Sequence, residues 1–124
     1  MKLPSGHQAV MPYLILRGAA AFIDFSKKVF NAVETARHPD GNNLIMHAEI
    51  NIGGSTLMIG DSSEQWQPRP ASLYIYSENV DSAYKRALAN GGKTIMEPED
   101  KPYGRTCGIE DPFGNVWWIT ATTE

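Results

Sequence analysis

The sequence predicts an α+β fold in which two β-α-β-β-β modules form one domain. Three observations carry that reading. A strand-turn-strand pattern closes the chain over Glu110–Thr120, E-D-P-F-G-N-V-W-W-I-T. Two stretches with helical apolar spacing, Ala19–Phe30 and a run ending at Asn90, each follow one strand-like segment and precede three more. The order of elements therefore recurs with a period of about 60 residues, although the residues themselves do not repeat.

Taken in order, Ala9–Leu16 reads as a strand, and Pro12 marks it as an edge or an irregularity because proline has no N–H for a ladder. Gly18 opens a helix whose positions 19, 22, 23, 29 and 30 make one apolar stripe. Ala32–Arg37 is a weak strand, and H-P-D-G-N-N (38–43) is a turn cluster. Leu44–Ile52 alternates. Leu44, Met46, Ala48, Ile50 and Ile52 share one face; Ile45, His47, Glu49 and Asn51 share the other. Gly53-Gly54 turns the chain into the strand Ser55–Ile59. Residues 61–70, D-S-S-E-Q-W-Q-P-R-P, read as a connector between modules spanning about 8–60 and 71–122.

The second module opens with the strand Ser72–Ser77. Asn79 or Asp81 caps the following helix, and Gly91 fits the position just past its end. Lys93–Glu97 is a short strand and Glu99–Gly104 a loop. In the closing hairpin Pro112 presets φ for the turn and Gly114 accepts φ > 0.

Strand alternation then divides each module. Leu14, Leu16, Leu57 and Ile59, and in the second module Leu73, Ile75, Trp117 and Ile119, belong against the helices. The opposite faces are expected to line a shared cleft, into which His47, Glu49, Met58, Tyr74, Tyr76 and Trp118 would look.

Composition narrows the classes. The 124 residues carry a net charge of −3, which leaves no basic footprint for nucleic acid. The single Cys107 forms no internal disulfide and reads as a buried structural thiol of a reducing compartment. No apolar run matches a signal peptide or a membrane span, so the expectation is a cytoplasmic protein without a membrane partner.

The stretches P-Y-L-I-L-R-G-A-A-A-F-I-D-F (12–25), M-H-A-E-I (46–50), L-M-I-G-D (57–61), V-D-S-A (80–83) and Y-G-R-T-C-G-I-E-D-P-F-G-N-V-W (103–117) span nearly the whole chain. In that order they resemble the vicinal-oxygen-chelate superfamily, the glyoxalase/bleomycin resistance/dioxygenase group, and its PhnB-like branch in particular. The resemblance implies paired βαβββ modules forming a cupped sheet, in a homodimer. It also implies four cup positions that hold a metal in the metalloenzymes, falling here on Met11 or Pro12, Met58, Ser72 and Trp118. None offers the imidazole or carboxylate that a divalent ion of this kind takes, so no metal and no other cofactor is expected.

The resemblance then implies a small-molecule binder with an aromatic cleft, its ligand expected to meet Tyr13, Met58, Trp66, Tyr74, Tyr76, Arg105 and Trp118. Arg105 would serve as a fixed fork for an anionic group. The alternative is a lyase, isomerase or oxygenase in which His47 and Glu49, two apart on a strand, act as a base with its orienting carboxylate or hold an atypical metal. His7 and His38 are expected in solvent.

Overall fold

A computed structural model describes residues 1–122. The chain forms two compact units, Met1–Pro70 and a second from Ala71 onward. The first contains β1 (Tyr13–Leu16), α1 (Ala19–Phe30), β2 (Val33–Pro39), β3 (Ile45–Ile52) and β4 (Ser55–Asp61). The second contains β5 (Ser72–Tyr76), α2 (Val80–Ala89), β6 (Lys93–Lys101), β7 (Gly104–Glu110) and β8 (Val116–Ala121). Each is thus β-α-β-β-β, and the fold is α+β. No described helix is long and apolar enough to cross a membrane.

Each unit has a four-stranded mixed sheet, ordered β1-β4-β3-β2 in the first and β5-β8-β7-β6 in the second. The first strand of each unit pairs in parallel with the last, Tyr13 against Met58 and Tyr74 against Trp118. In the first unit Leu14, Leu16, Ala48, Ile50, Leu57 and Ile59 are buried with Phe22, Ile23 and Val29 of α1. In the second, Trp117, Ile119, Cys107 and Ile109 are buried with Val80, Ala83 and Ala87 of α2. Burying each large side chain of such a core contributes roughly 1.5–3 kcal/mol. Leu73 and Ile75, on the edge strand β5, are only half-buried.

The helix ends are held in two ways. Gly18, at φ 89°, enters α1 without a side-chain cap of its own. Instead Oδ1 of Asp61, at the end of β4, accepts the N–H groups of Gly18 (3.2 Å) and Ala19 (2.9 Å), placing a carboxylate at the positive end of the helix. At α2 it is Asn79, not Asp81, whose side chain caps, accepting the N–H of Ser82 at 3.1 Å.

Four expectations change. β1 starts only at Tyr13, because Pro12 gives no N–H, although its carbonyl accepts the N–H of Met58 at 2.9 Å. The alternation of β3 breaks at its start: His38 pairs with His47 but Pro39 with Ile45, a bulge that leaves Met46 over. Ile45 is therefore buried, while Met46 is 63% and Leu44 46% exposed instead of facing α1. β6 runs through to Lys101, absorbing Pro98 in an irregular stretch between Met96 and Glu99 where the missing N–H breaks no ladder. The connector 61–70 belongs to the first unit: Ser62 donates to Leu16 O at 2.8 Å and Arg69 to Ile15 O at 2.7 Å.

Candidate functional site

The bulge of β3, the edge strand β1 and the 61–70 segment leave a cavity of about 670 Å³ in the first unit. This lies within the roughly 300–1,000 Å³ of small-molecule sites. Tyr13 and Ile15 line it from β1, Leu44, Ile45 and Met46 from the start of β3, and Trp66 and Arg69 from the segment that follows β4. Trp66, 61% exposed, projects from a closed turn: Ser63 N donates to Trp66 O at 2.8 Å, and Trp66 N donates to Ser63 Oγ at 3.0 Å. Gly60 is the partner of Ile15 across the β1/β4 ladder. A Cβ on Gly60 would come within 2.9 Å of the Met46 carbonyl and 3.6 Å of the Tyr13 hydroxyl, so the glycine permits the close approach of the bulged strand.

From one wall of this cavity a polar chain leads across the sheet. The Tyr13 hydroxyl lies 3.2 Å from His47 Nδ1, and His47 Nε2 lies 2.9 Å from Glu49 Oε2. Glu49 Oε1 in turn lies 2.7 Å from His7 Nε2. Hydrogen bonds from His47 first, and from His7 second, hold the Glu49 carboxyl below the usual carboxylate range. His7 is therefore not the exposed tail residue expected: Gln8 and Gly6 also bond to Thr56, fastening the segment before β1 onto β4. His38 is exposed, its ring 6.0 Å from that of His47.

Met58 stands between Tyr13 and Glu49 in the register, as Trp118 stands between Tyr74 and Gly108 in the second unit. The absent side chain at Gly108 leaves room for the Trp118 ring to lie over the strand. Tyr74 and Tyr76, 52% and 68% exposed, form an edge-on pair with ring centres 5.5 Å apart. At the positions of this unit that match His47 and Gly60, Thr106 and Thr120 are buried and bond to each other at 2.8 Å. The imidazole–carboxylate chain has no counterpart there.

Arg105 is not where a ligand anion was expected to find it. Asp81 of α2 grips its guanidinium at 2.7 and 2.9 Å, and Asp100 adds a contact at 3.1 Å. Both carboxylates hold it protonated and take one N–H from each of its three nitrogens. Cys107, on the same side of β7, is buried as expected.

Sequence reasoning missed Ile15, Leu44, Met46 and Arg69. The bulge that exposes Leu44 and Met46 is a tertiary event with no local signature. For Arg69 a signal existed: the residue before a proline is pushed towards extended backbone, and Arg69 precedes Pro70. An extended segment beside an edge strand is what the bridge between Ile15 and Arg69 makes of it.

A metal of the kind the resemblance implies does not fit the donors present. The registered pairs are Tyr13–Met58 and Tyr74–Trp118, two residues beyond Met11 and Ser72, and neither pair offers imidazole or carboxylate. Elsewhere, His7 and His47 each turn Nε2 to a different oxygen of Glu49. Among the described residues no three His, Cys, Asp or Glu side chains are grouped to hold a metal ion.

Comparison with known proteins agrees with this architecture. The uncharacterized protein Mb0911c of Mycobacterium bovis is 32% identical over 121 residues, covering 88% of this chain and 80% of its own length. The PhnB protein of Bacillus cereus superposes with a TM-score of 0.73 at 16% identity, over 93% of this chain and all (100%) of the other. TnmS3, an antibiotic binding protein from a Streptomyces species, superposes with a TM-score of 0.71 at 19% identity, over 94% and 100% of the two chains. The family model for the Glyoxalase/Bleomycin resistance protein/Dioxygenase superfamily matches residues 8–119. With nearly its whole length so matched, this chain belongs to the glyoxalase/bleomycin resistance protein/dioxygenase superfamily.

Proposed function

We propose that this protein binds a small organic molecule, largely aromatic or aliphatic, in the cavity of its first unit. The observation that carries this reading is the gathering of Tyr13, Leu44, Met46 and Trp66, all large, apolar and exposed, around one ligand-sized cavity. Exposed apolar surface gathered in one concave place, not scattered, marks an interaction site. The fixed Ser63–Trp66 turn supports the same reading, since a tethered backbone leaves less to be ordered when a ligand stacks on the Trp66 ring. TnmS3, of the same fold, is an antibiotic binding protein, which supports a small organic ligand here. The homodimer implied by the family is part of the proposal, and light scattering at twice the 13.7 kDa chain mass would support it.

N-phenyl-1-naphthylamine, an uncharged fluorescent aromatic amine, tests the binding site. Its emission should rise on binding, and Trp66→Ala should weaken that binding by at least about tenfold. Equal binding by Trp66→Ala and the native protein would overturn the assignment of the site.

A second reading rests on the polar chain. With Glu49 orienting His47, the imidazole could take up or return a proton at the Tyr13 hydroxyl on the cavity wall, the arrangement of a general acid–base catalyst. It requires turnover of some substrate that His47→Ala abolishes while ligand binding persists. Binding without turnover of any ligand identified would leave the first reading alone.

A further inference from the structure

We infer that the ligand is an organic anion, its apolar body lying against Trp66, Met46 and Tyr13 and its acidic oxygens on the guanidinium of Arg69. This rests on the reading of the cavity as a ligand site. The distribution of charge around that cavity leads to it. Three ionised side chains line it: Asp40, Asp61 and Arg69. The two carboxylates are already committed to backbone donors. Asp61 accepts from Gly18 and Ala19 through Oδ1 and from Ile45 through Oδ2, the last at 2.7 Å. Asp40 Oδ1 accepts from Asn42 at 2.7 Å and from Leu44 at 3.2 Å. These bonds close the turn before β3 and the start of α1, so the acidic groups are parts of the scaffold.

Arg69 differs. Its backbone is fixed by the bridge to Ile15, yet among the described residues its guanidinium bonds only the carbonyl of its neighbour Pro68, at 3.3 Å. Among the described residues it makes no ion pair. Arg37 and Arg105, in contrast, are both held by carboxylates, Arg37 by Glu34 at 2.6 and 3.1 Å. A guanidinium is a planar donor fork that matches carboxylate, sulfonate and phosphate oxygens two at a time. Placed beside an apolar cavity on a tethered backbone, it selects a molecule with an apolar body and one acidic end.

Three probes of similar size and different charge separate the possibilities. They are the anion 8-anilino-1-naphthalenesulfonate, the uncharged N-phenyl-1-naphthylamine and the cation thioflavin T. The anion should bind about tenfold more tightly than the uncharged amine, and more tightly than the cation. Arg69→Met should remove that preference, weakening the anion by a much larger factor than the amine. Added salt should weaken the anion and leave the uncharged amine little changed. Trp66→Ala should weaken both naphthalene probes. If the amine binds, depends on Trp66 and equals or exceeds the anion, the inference fails and the site stands. Tighter binding of thioflavin T than of the anion would also overturn it. If no probe depends on Trp66, the cavity is not the ligand site and both readings fail together.

Discussion

The indole N–H of Trp117 donates to Oδ2 of Asp111 at 2.9 Å, with both residues buried. The same carboxylate accepts the backbone N–H groups of Phe113 and Asn115 and the side-chain amide of Asn115, each at 2.9 Å. Asn115 Oδ1 then accepts from Ala71 at 2.8 Å, tying the start of β5 to the turn between β7 and β8. A buried charge held by four donors is stabilising only while the set is complete. Asp111→Ala removes the acceptor that these four donors share, and should lower stability by about 3 kcal/mol or more. Urea denaturation measures it, and a loss under about 0.5 kcal/mol would show that the turn is held otherwise.

Gly108 gives a second prediction. Any Cβ there would run into the Trp118 ring, so Gly108→Ala must displace the ring or the strand. A loss of about 1–3 kcal/mol is expected, with a change in near-ultraviolet circular dichroism. An unaltered spectrum with unaltered stability would mean that the ring does not lie over β7.

The Glu49 carboxyl supplies a pH dependence. His47 and His7 lower its folded value below the ordinary 4.5, so the stability it contributes is present above that pH and is lost as pH falls through the folded value. The stability gap between the native protein and Glu49→Gln should therefore shrink as pH falls below 4.5 and the carboxylate takes up its proton. Urea titrations at several pH values below 4.5 test this; a gap that widens with acid in that range would contradict a lowered Glu49 value.

Cys107 should be inert. Burial first, and the charge of Asp81 second, push its thiol up to about 11, so little thiolate exists at neutral pH. Ellman's reagent should react slowly with the native protein and rapidly in urea. Prompt native labelling would mean that β7 opens easily or that the thiol lies nearer the surface.

Where the sequence pattern is local, it reads directly into structure. Asp111-Pro112-Phe113-Gly114 has Gly114 at φ 90° and an N–H from Gly114 to Asp111 O, the turn its residues dictate. The α1 stripe and the alternation of Leu14, Leu16, Leu57 and Ile59 likewise follow from spacing alone. The candidate site was legible in its parts: Tyr13, His47, Glu49 and Trp66 stand out in the sequence as candidates. Their joining was not. The bulge that turns Met46 outward depends on how β2 registers against β3, and the placing of Trp66 and Arg69 depends on 61–70 folding back along β1. His7 was misread for the same reason, since Glu49 lies 42 residues further on. Arg105 looked available because its partner, Asp81, lies 24 residues away.

The most direct test of the central claim is a 1H–15N correlation spectrum recorded while N-phenyl-1-naphthylamine is added, a practical experiment on a 13.7 kDa chain. The amides of Tyr13, Ile15, Leu44–Met46, Ser62–Gln67 and Arg69 should move together and saturate with one binding constant. Shifts concentrated instead around Tyr74, Tyr76 and Ala121, with 62–69 unmoved, would contradict the assignment of the ligand site to the first unit.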